Sequence, residues 1–199
     1  MDDRVSSLFT ESDTPTATAV ALLSDIGFPD AAGAWKRLRV LSGEAPFPDF
    51  VKESLSRLVL GLWDTPAPDA ALRNFERFFA QVPQSRPLLE YLAARPRAIE
   101  ILLKLFVRSQ YLTETLLRNP VLLDQLTQHR WLADLKSREE FFEAAVIASG
   151  ASTSSAEILD GLRRFQRWEI LRIGACDCFG LMDLRSATVQ LSLLADALV

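Results

Sequence analysis

Ionisable side chains are concentrated in residues 154–184, a segment with a long helical pattern. On a helical wheel its apolar residues fall within one stripe roughly 80° wide. These residues are Ile158, Leu162, Phe165 and Ile173. Glu169 lies in the middle of this stripe, and Arg172, three residues further on, lies at its edge. A carboxylate among apolar neighbours must find a partner or change its pKa. The pattern therefore predicts a structural ion pair of Glu169 with Arg172 or with an arginine of another helix.

Three more arginines lie on the flank and the far side of the same helical pattern: Arg163, Arg164 and Arg167. The alternative to a structural ion pair is a nucleotide or phosphate site that Glu169 and these arginines border. Both interpretations require one long helix from about residue 154, with Ser154 or Ser155 as its N-cap.

Other chemistry finds little support in the sequence. There is no glycine-rich phosphate loop, no cluster with metal-ligand spacing and no nucleophile elbow. A Ser-His-Asp triad would need His129, the single histidine, which we predict to be a loop residue. Cys176 and Cys178 are one residue apart, so on a helix their side chains diverge by about 200° and a disulfide is implausible. We therefore predict no catalytic residue and no metal ligand in this chain.

Composition limits the class of protein. Of the 199 residues, 49% are apolar and 24% are charged, which is typical of a globular protein. The formal net charge of −4 argues against nucleic-acid binding, which depends on clustered Lys and Arg. The sequence has no signal-like N-terminus and no uninterrupted apolar run near the length of a membrane span. We expect a cytoplasmic protein that binds neither nucleic acid nor membrane.

No stretch has sustained alternation of apolar and polar residues, so we predict no strand and an all-α fold. We expect about ten or eleven helices in an irregular bundle, with stacked helical hairpins and a long charged helix near the C-terminus. Residues 1–14 are a predicted flexible lead-in, residues 15–149 a helical bundle, and residues 154–199 a long helix followed by a terminal helix. The linker at 150–155 is a possible hinge.

Capping residues mark several predicted helix ends. Thr14, Asp30, Asp69 and Asp183 precede apolar periodic segments and are predicted N-caps, whereas Gly27 ends the first of these helices. The helix after Asp69 has an aromatic face, which we interpret as core packing. In the helix at 137–148, Phe141, Phe142, Ala145 and Val146 form the predicted apolar face.

Residues 86–126 repeat with a period of 24 residues. Leu88, Leu92, Pro96 and Glu100 are matched by Leu112, Leu116, Pro120 and Asp124. Each copy predicts a short helix, a proline at the first position of the next helix, and a second short helix. With two copies, the alternative is coincidence between two helical hairpins.

Residues 70–199 resemble the N-terminal helical region of glutamine synthetase adenylyltransferases, the bifunctional enzymes that add AMP to glutamine synthetase and remove it. The family pattern is approximately Arg-Arg-Phe-Lys-Arg-Arg-Glu, then Leu-Arg-Ile-Ala, then Arg-Asp-Leu, and it closes with Leu-Ser-x-Leu-Ala-(Asp/Glu). The matching residues are Arg163, Arg164, Phe165, Arg167, Glu169, Leu171, Arg172, Ile173, Asp177, Leu191, Ser192, Leu194, Ala195 and Asp196. Upstream, NFERFFAQVP, LLEYLAARPRAIEILLKLF and LLRNPVLLDQL are similar to the same region.

The chain also departs from the family pattern. Trp168 and Cys176 stand where the pattern has arginine, and Gly174 takes a small-residue position. The family's catalytic Ser-Asp-x-Asp motif is missing from the sequence, and the nearest string, Ser24 and Asp25, lacks the second aspartate. Those paired aspartates hold Mg²⁺ in the family. We therefore expect a segment that precedes a catalytic core, needs no cofactor of its own and is inactive alone.

The resemblance implies a function for the whole protein and for this segment. The parent enzyme would use ATP and Mg²⁺ to transfer AMP to a tyrosine of glutamine synthetase, regulating nitrogen assimilation. The segment would be a scaffold that contacts its own nucleotidyltransferase core, glutamine synthetase and PII-type regulators. Glu169, Arg172, Arg163, Arg167 and Asp177 are the expected ion-pair or core-contact residues. The alternative is a stand-alone helical adaptor that binds a partner protein and has no catalytic activity.

Overall fold

A computed structural model of the chain describes residues 3–9, 14–82, 84–128, 132–150 and 154–199. These residues form helices and no strand, so the predicted all-α fold is confirmed. Eleven α-helices of seven or more residues follow one four-residue helix and one short 3-10 helix in the described ranges. The α-helices are α1 (Asp3–Ser6), α2 (Ala17–Ile26), α3 (Ala31–Ser42), α4 (Asp49–Trp63), α5 (Pro68–Ala80), α6 (Ser85–Ala94), α7 (Pro96–Arg108), α8 (Gln110–Arg118), α9 (Leu122–Gln128), α10 (Arg138–Ser149), α11 (Ser155–Phe179) and α12 (Leu184–Ala197).

Two predicted N-caps and one predicted helix end are confirmed. The Asp30 carboxylate accepts a hydrogen bond from the backbone N–H of Gly33 at 2.8 Å, and Asp183 accepts from Ser186 at 2.7 Å. Each satisfies a backbone donor that the first turn of the helix leaves without a partner. Gly27 ends α2 with φ of 103°, a left-handed conformation that glycine adopts without steric cost.

Two other predicted caps are wrong by two residues. The N-cap of α2 is Thr16 rather than Thr14, because the Thr16 hydroxyl accepts from the N–H three residues on at 3.1 Å. α5 begins at Pro68, one residue before Asp69, because proline suits the first helical position. Asp69 lies instead in the first turn, where the positive end of the helix dipole stabilises its negative charge.

The chain divides into two compact units, residues 1–120 and 121–199. In the first unit, α4 packs against α6 and α7, and α5 packs against α7. The aromatic face of α5 is buried, as predicted: the rings of Phe75 and Phe106 lie 5.0 Å apart in an edge-on arrangement. Such aromatic pairs stabilise a core beyond the area that they bury.

The start of the chain differs from the predicted flexible lead-in. Residues 3–6 form α1 and residues 7–9 a 3-10 helix. Val5 and Leu8 are buried, and α1 packs against α2 and α4. The helices are too short to show a period in the sequence, and this packing stabilises them instead.

The first copy of the predicted repeat has the expected proline position, and the second does not. Pro96 is the first residue of α7. Pro120 lies in a turn, two residues before the start of α9.

In the second unit, α10, α11 and α12 pack against one another. The described end of the predicted linker is Gly150, which ends α10, and α11 begins at Ser155. The boundary between the compact units lies at residues 120 and 121 and not at this linker, because α10 and α11 belong to the same packed group.

Half of the predicted apolar face of α10 is exposed. Phe141 and Ala145 are buried, but Phe142 and Val146 are 60% and 54% exposed. Phe141 and Ala145 are four residues apart and pack on one line of the helix, whereas each exposed residue is rotated from that line by one position, or about 100°. The core therefore covers a narrower stripe of α10 than the sequence predicts.

α10 and α11 approach closely at Gly161. A Cβ atom added at Gly161 would lie 2.0 Å from the carbonyl oxygen of Ala148. The neighbouring atom belongs to backbone, so it cannot rotate away. Only glycine permits the two helices to pack at this distance.

We expect the Gly161→Ala variant to lose about 1–3 kcal/mol of unfolding free energy, since α10 and α11 must separate to admit the methyl group. In an ordinary helix the same change is stabilising, so the sign of the effect is diagnostic. Urea unfolding followed by circular dichroism measures it. The control is Gln166→Ala on the exposed side of α11, which should leave the stability almost unchanged. A stabilised Gly161→Ala protein would contradict the close approach.

Candidate functional site

Glu169 and Arg172 form an ion pair in the interior of the second unit. Each side chain is 1% exposed, and Arg172 Nε donates to Glu169 Oε2 at 2.8 Å. They are three residues apart on α11, a spacing that places both on one side of the helix. The structure thus brings together the two residues that the sequence singles out first.

Lys136, in the segment before α10, is the second partner of Glu169. Its Nζ donates to Glu169 Oε1, so both carboxylate oxygens accept a charged hydrogen bond. The ammonium group also lies 5.5 Å from the centre of the Phe141 ring, within range of a cation–π interaction. The side chain of Lys136 is partly exposed. Glu169 is therefore neutralised from two sides.

The remaining N–H groups of Arg172 bind the segment that precedes α10. Nη1 donates to the carbonyl oxygen of Leu132 at 2.8 Å and to that of Asp134 at 3.1 Å. Nη2 donates to Oε1 of Gln190 on α12 at 3.4 Å. One guanidinium thus contacts α11, α12 and residues 132–134.

Gln190 joins α12 to the same segment. Its Oε1 accepts from the backbone N–H of Lys136 at 2.9 Å, and its Nε2 donates to the carbonyl oxygen of Lys136 at 2.8 Å. We call Lys136, Glu169, Arg172 and Gln190 the ion-pair network. Glu169, Arg172 and Gln190 are buried, and their polar groups are paired, as buried polar groups must be if they are not to destabilise the fold.

Cys176 lies one turn beyond Arg172 and touches the same segment. Its thiol donates to the carbonyl oxygen of Leu132 at 3.0 Å. Burial raises the pKa of the Cys176 thiol to about 11, although the positive charge of Arg172 opposes the shift. The thiol is therefore protonated at neutral pH and is a poor nucleophile.

The other predicted site residues lie outside the network. Arg163, Arg167 and Asp177 are exposed, and Arg163 pairs with Asp160 on its own helix at 3.0 Å. The structure does not bring them to Glu169. Exposed ion pairs within a helix contribute little to stability, so the fold would lose little if Arg163 exchanged Asp160 for a partner.

Sequence reasoning missed Lys136 and Gln190. Lys136 lies 33 residues before Glu169 in a segment without a helical pattern, so no spacing links the two. Gln190 does carry a signal, because Ala187, Gln190 and Leu194 share the buried face of α12. A glutamine on an apolar face indicates a buried hydrogen-bonding partner.

The ion-pair network acts as a structural clamp, that is, its hydrogen bonds hold α11, α12 and residues 132–136 together. Arg172 is bonded to four protein acceptors and Glu169 to two cations, so a phosphate would have to displace these partners. Among the described residues, no group of three or more His, Cys, Asp or Glu side chains could hold a metal ion. His129, the predicted loop residue, lies outside the described residues. Within the described ranges, no helix is long and apolar enough to cross a membrane.

The fold and the network define an all-helical protein whose longest helix is fixed by a buried ion pair. A family model described as glutamate-ammonia ligase adenylyltransferase matches residues 99–199, a range that includes the whole network. The chain belongs to this family.

Curated relatives extend the similarity over most of the chain. The chain is 27% identical over 192 residues to a protein of Thioalkalivibrio sulfidiphilus and 28% identical over 190 residues to one of Pseudomonas aeruginosa. These alignments cover 91% and 89% of the chain but 20% and 19% of the relatives. A Mannheimia haemolytica protein is 31% identical over 113 residues, 56% of the chain and 12% of the relative. All three are named bifunctional glutamine synthetase adenylyltransferase/adenylyl-removing enzyme. The chain therefore spans a fifth or less of the length of these relatives.

We expect Arg172→Met to lower the unfolding free energy by about 3–5 kcal/mol, because it leaves a buried carboxylate with one partner and removes the donor to two carbonyl groups. Chemical unfolding at neutral pH measures the loss. The matched control is Arg163→Met, which removes an exposed ion pair of α11 and should cost no more than about 1 kcal/mol. Equal losses in the two variants would contradict the clamp.

The raised pKa of Cys176 predicts how stability depends on pH. The unfolded thiol titrates near the ordinary value of 9.0 and the folded thiol near about 11, so between these values the folded state binds more protons. Stability should therefore fall as the pH rises from about 9 to about 11. In Cys176→Ala this loss of stability should be absent. The change in unfolding free energy between pH 8 and pH 10.5, measured for both proteins, separates the contribution of Cys176 from that of other titrating groups. The same alkaline loss in Cys176→Ala would refute the assignment.

Proposed function

We propose that the chain is a scaffold and partner-binding segment of a glutamine synthetase adenylyltransferase. In this proposal the whole enzyme adds AMP to glutamine synthetase and removes it, and thereby regulates nitrogen assimilation. The observation that carries the proposal is the family match over residues 99–199, together with the printed names of the relatives. Glutamine synthetase is the protein partner that those names indicate.

The contacts of the second unit support a scaffolding role. Buried charged groups that satisfy one another fix α11 and α12 to the segment before α10, and they leave no part of Glu169 open for chemistry. Arg163 and Arg167 on the exposed side of α11 are available to meet an acidic surface. A rigid helix with a charged outer face suits the support of a neighbouring domain.

The chemistry would then be performed by other residues of the enzyme. We propose that ATP and Mg²⁺ act at paired aspartates of a nucleotidyltransferase core and that this segment contacts that core. The proposed location is the cytoplasm, and PII-type signalling proteins are further proposed partners. Each of these points rests on the family.

The test uses the 199-residue chain, labelled ATP, Mg²⁺ and purified glutamine synthetase, with the Pseudomonas aeruginosa relative as the active control. We expect label in glutamine synthetase with the relative and none with the chain alone. Excess chain added to the relative should slow the transfer, because it competes for the surfaces that the relative's own segment contacts.

Variants distinguish specific competition from an effect of added protein. Gln166→Ala on the exposed side of α11 keeps the ion-pair network and should still slow the transfer, whereas Arg172→Met should lose the effect with the fold of the second unit. Transfer of AMP by the chain alone would overturn the scaffold role. An unchanged rate with excess chain, together with no binding to glutamine synthetase or to the relative, would favour the stand-alone adaptor.

A further inference from the structure

α10 places large apolar side chains in water. Phe142 is 60% exposed and Val146, one turn later on the same side, is 54% exposed. An aromatic residue with this exposure loses the favourable free energy of burial, about 25 cal/mol for each Å² left in water. α10 packs against α11 and α12, and Phe142 and Val146 lie outside this packing, on the surface of the second unit.

Phe142 lies in a groove between α10 and the end of α12. The groove has a volume of about 370 Å³ and is open to solvent. It is lined by Arg138, Glu139, Phe142, Glu143, Asp196 and Ala197. We call it the α10–α12 groove. A groove between two packed helices with an aromatic residue in its lining matches the way in which proteins bind amphipathic helices.

The charge of the groove is negative. Arg138 forms an ion pair with Asp196 at 2.6 Å, which leaves Glu139 and Glu143 as the net charge of the lining. Hydrogen bonds from its own backbone N–H and from Ser137 hold the pKa of Glu139 below its usual range, so it stays ionised. Glu143 has no ion-pair partner among the described residues. A complementary ligand carries positive charge beside an apolar group.

We propose that the α10–α12 groove binds an amphipathic helix of a partner protein. One large apolar side chain of that helix packs on Phe142, and Lys or Arg residues beside it meet Glu139 and Glu143. The inference rests on the proposed partner-binding role and adds the surface and the chemistry of the ligand. It excludes nucleic acid as the ligand, because phosphates would be repelled by the same carboxylates.

The test measures binding of a labelled synthetic helix of about 18 residues to the 199-residue chain by fluorescence anisotropy. The probe has a leucine face flanked by lysines. A matched peptide has glutamate in place of every lysine. We expect saturable binding of the lysine peptide that weakens with added salt, and at least about tenfold weaker binding of the glutamate peptide.

Variants locate the binding surface. Phe142→Ala should raise the Kd about tenfold or more, because a central aromatic contact dominates the affinity of such a surface. Glu139→Gln with Glu143→Gln should weaken binding and reduce its dependence on salt. The control is Ile147→Ala, which removes another apolar side chain of α10 that is 79% exposed but lies outside the groove. It should change the Kd by less than about twofold. Thermal melts of these surface variants confirm that each is folded.

Several results would overturn the inference: no binding, equal binding of the two peptides, or equal effects of Phe142→Ala and Ile147→Ala. None of them involves adenylyl transfer. A failed groove experiment therefore leaves the proposed enzyme function standing, and an absence of competition in the transfer assay leaves the groove standing.

Discussion

The buried charge of Arg172 is the constraint on which the second unit depends. Arginine does not lose its proton in a protein, so an arginine in the interior must be neutralised and hydrogen bonded where it lies. Glu169 supplies the opposite charge, and Gln190 with two carbonyl groups supplies the remaining acceptors. These acceptors belong to different parts of the chain, so one side chain fixes their relative positions. Lys136 adds a second positive charge on a side chain that is partly exposed and so keeps contact with water.

This constraint separates the two faces of α11 by role. The inner face carries charges that are paired with each other and with groups of other segments, and the outer face carries exposed arginines. The family similarity includes both faces, since the matched range contains the whole helix. A pattern of charged residues in a family can therefore combine residues that hold the fold with residues that meet other surfaces. The burial of a charged side chain distinguishes residues that hold the fold from residues that meet other surfaces, whereas a sequence pattern alone does not.

What could be predicted from the sequence followed from local rules. The all-helical fold follows from periodicity, the cap at Asp30 follows from backbone donors within one turn, and Glu169 was identifiable as a charge on an apolar stripe. Contacts between distant segments, such as that of Lys136 with Glu169, could not be predicted, because no regular spacing in the sequence links the two residues. Phe142 belongs to the apolar face that the sequence predicts for α10, yet the width of the buried stripe depends on how α11 and α12 pack. The family resemblance was confirmed, since it used the identity of charged residues as well as their spacing.

The hydrogen bonds between Gln190 and Lys136 join residues that are 54 positions apart. During synthesis on the ribosome, residues 132–136 and α11 leave the exit tunnel before α12 does. Until α12 arrives, Arg172 lacks one of its acceptors, and the backbone groups of Lys136 must bond to water. The buried hydrogen bonds of the second unit therefore form in full only when α12 has left the exit tunnel. In a nascent chain arrested before Gln190, the guanidinium of Arg172 and the backbone of Lys136 would remain hydrated.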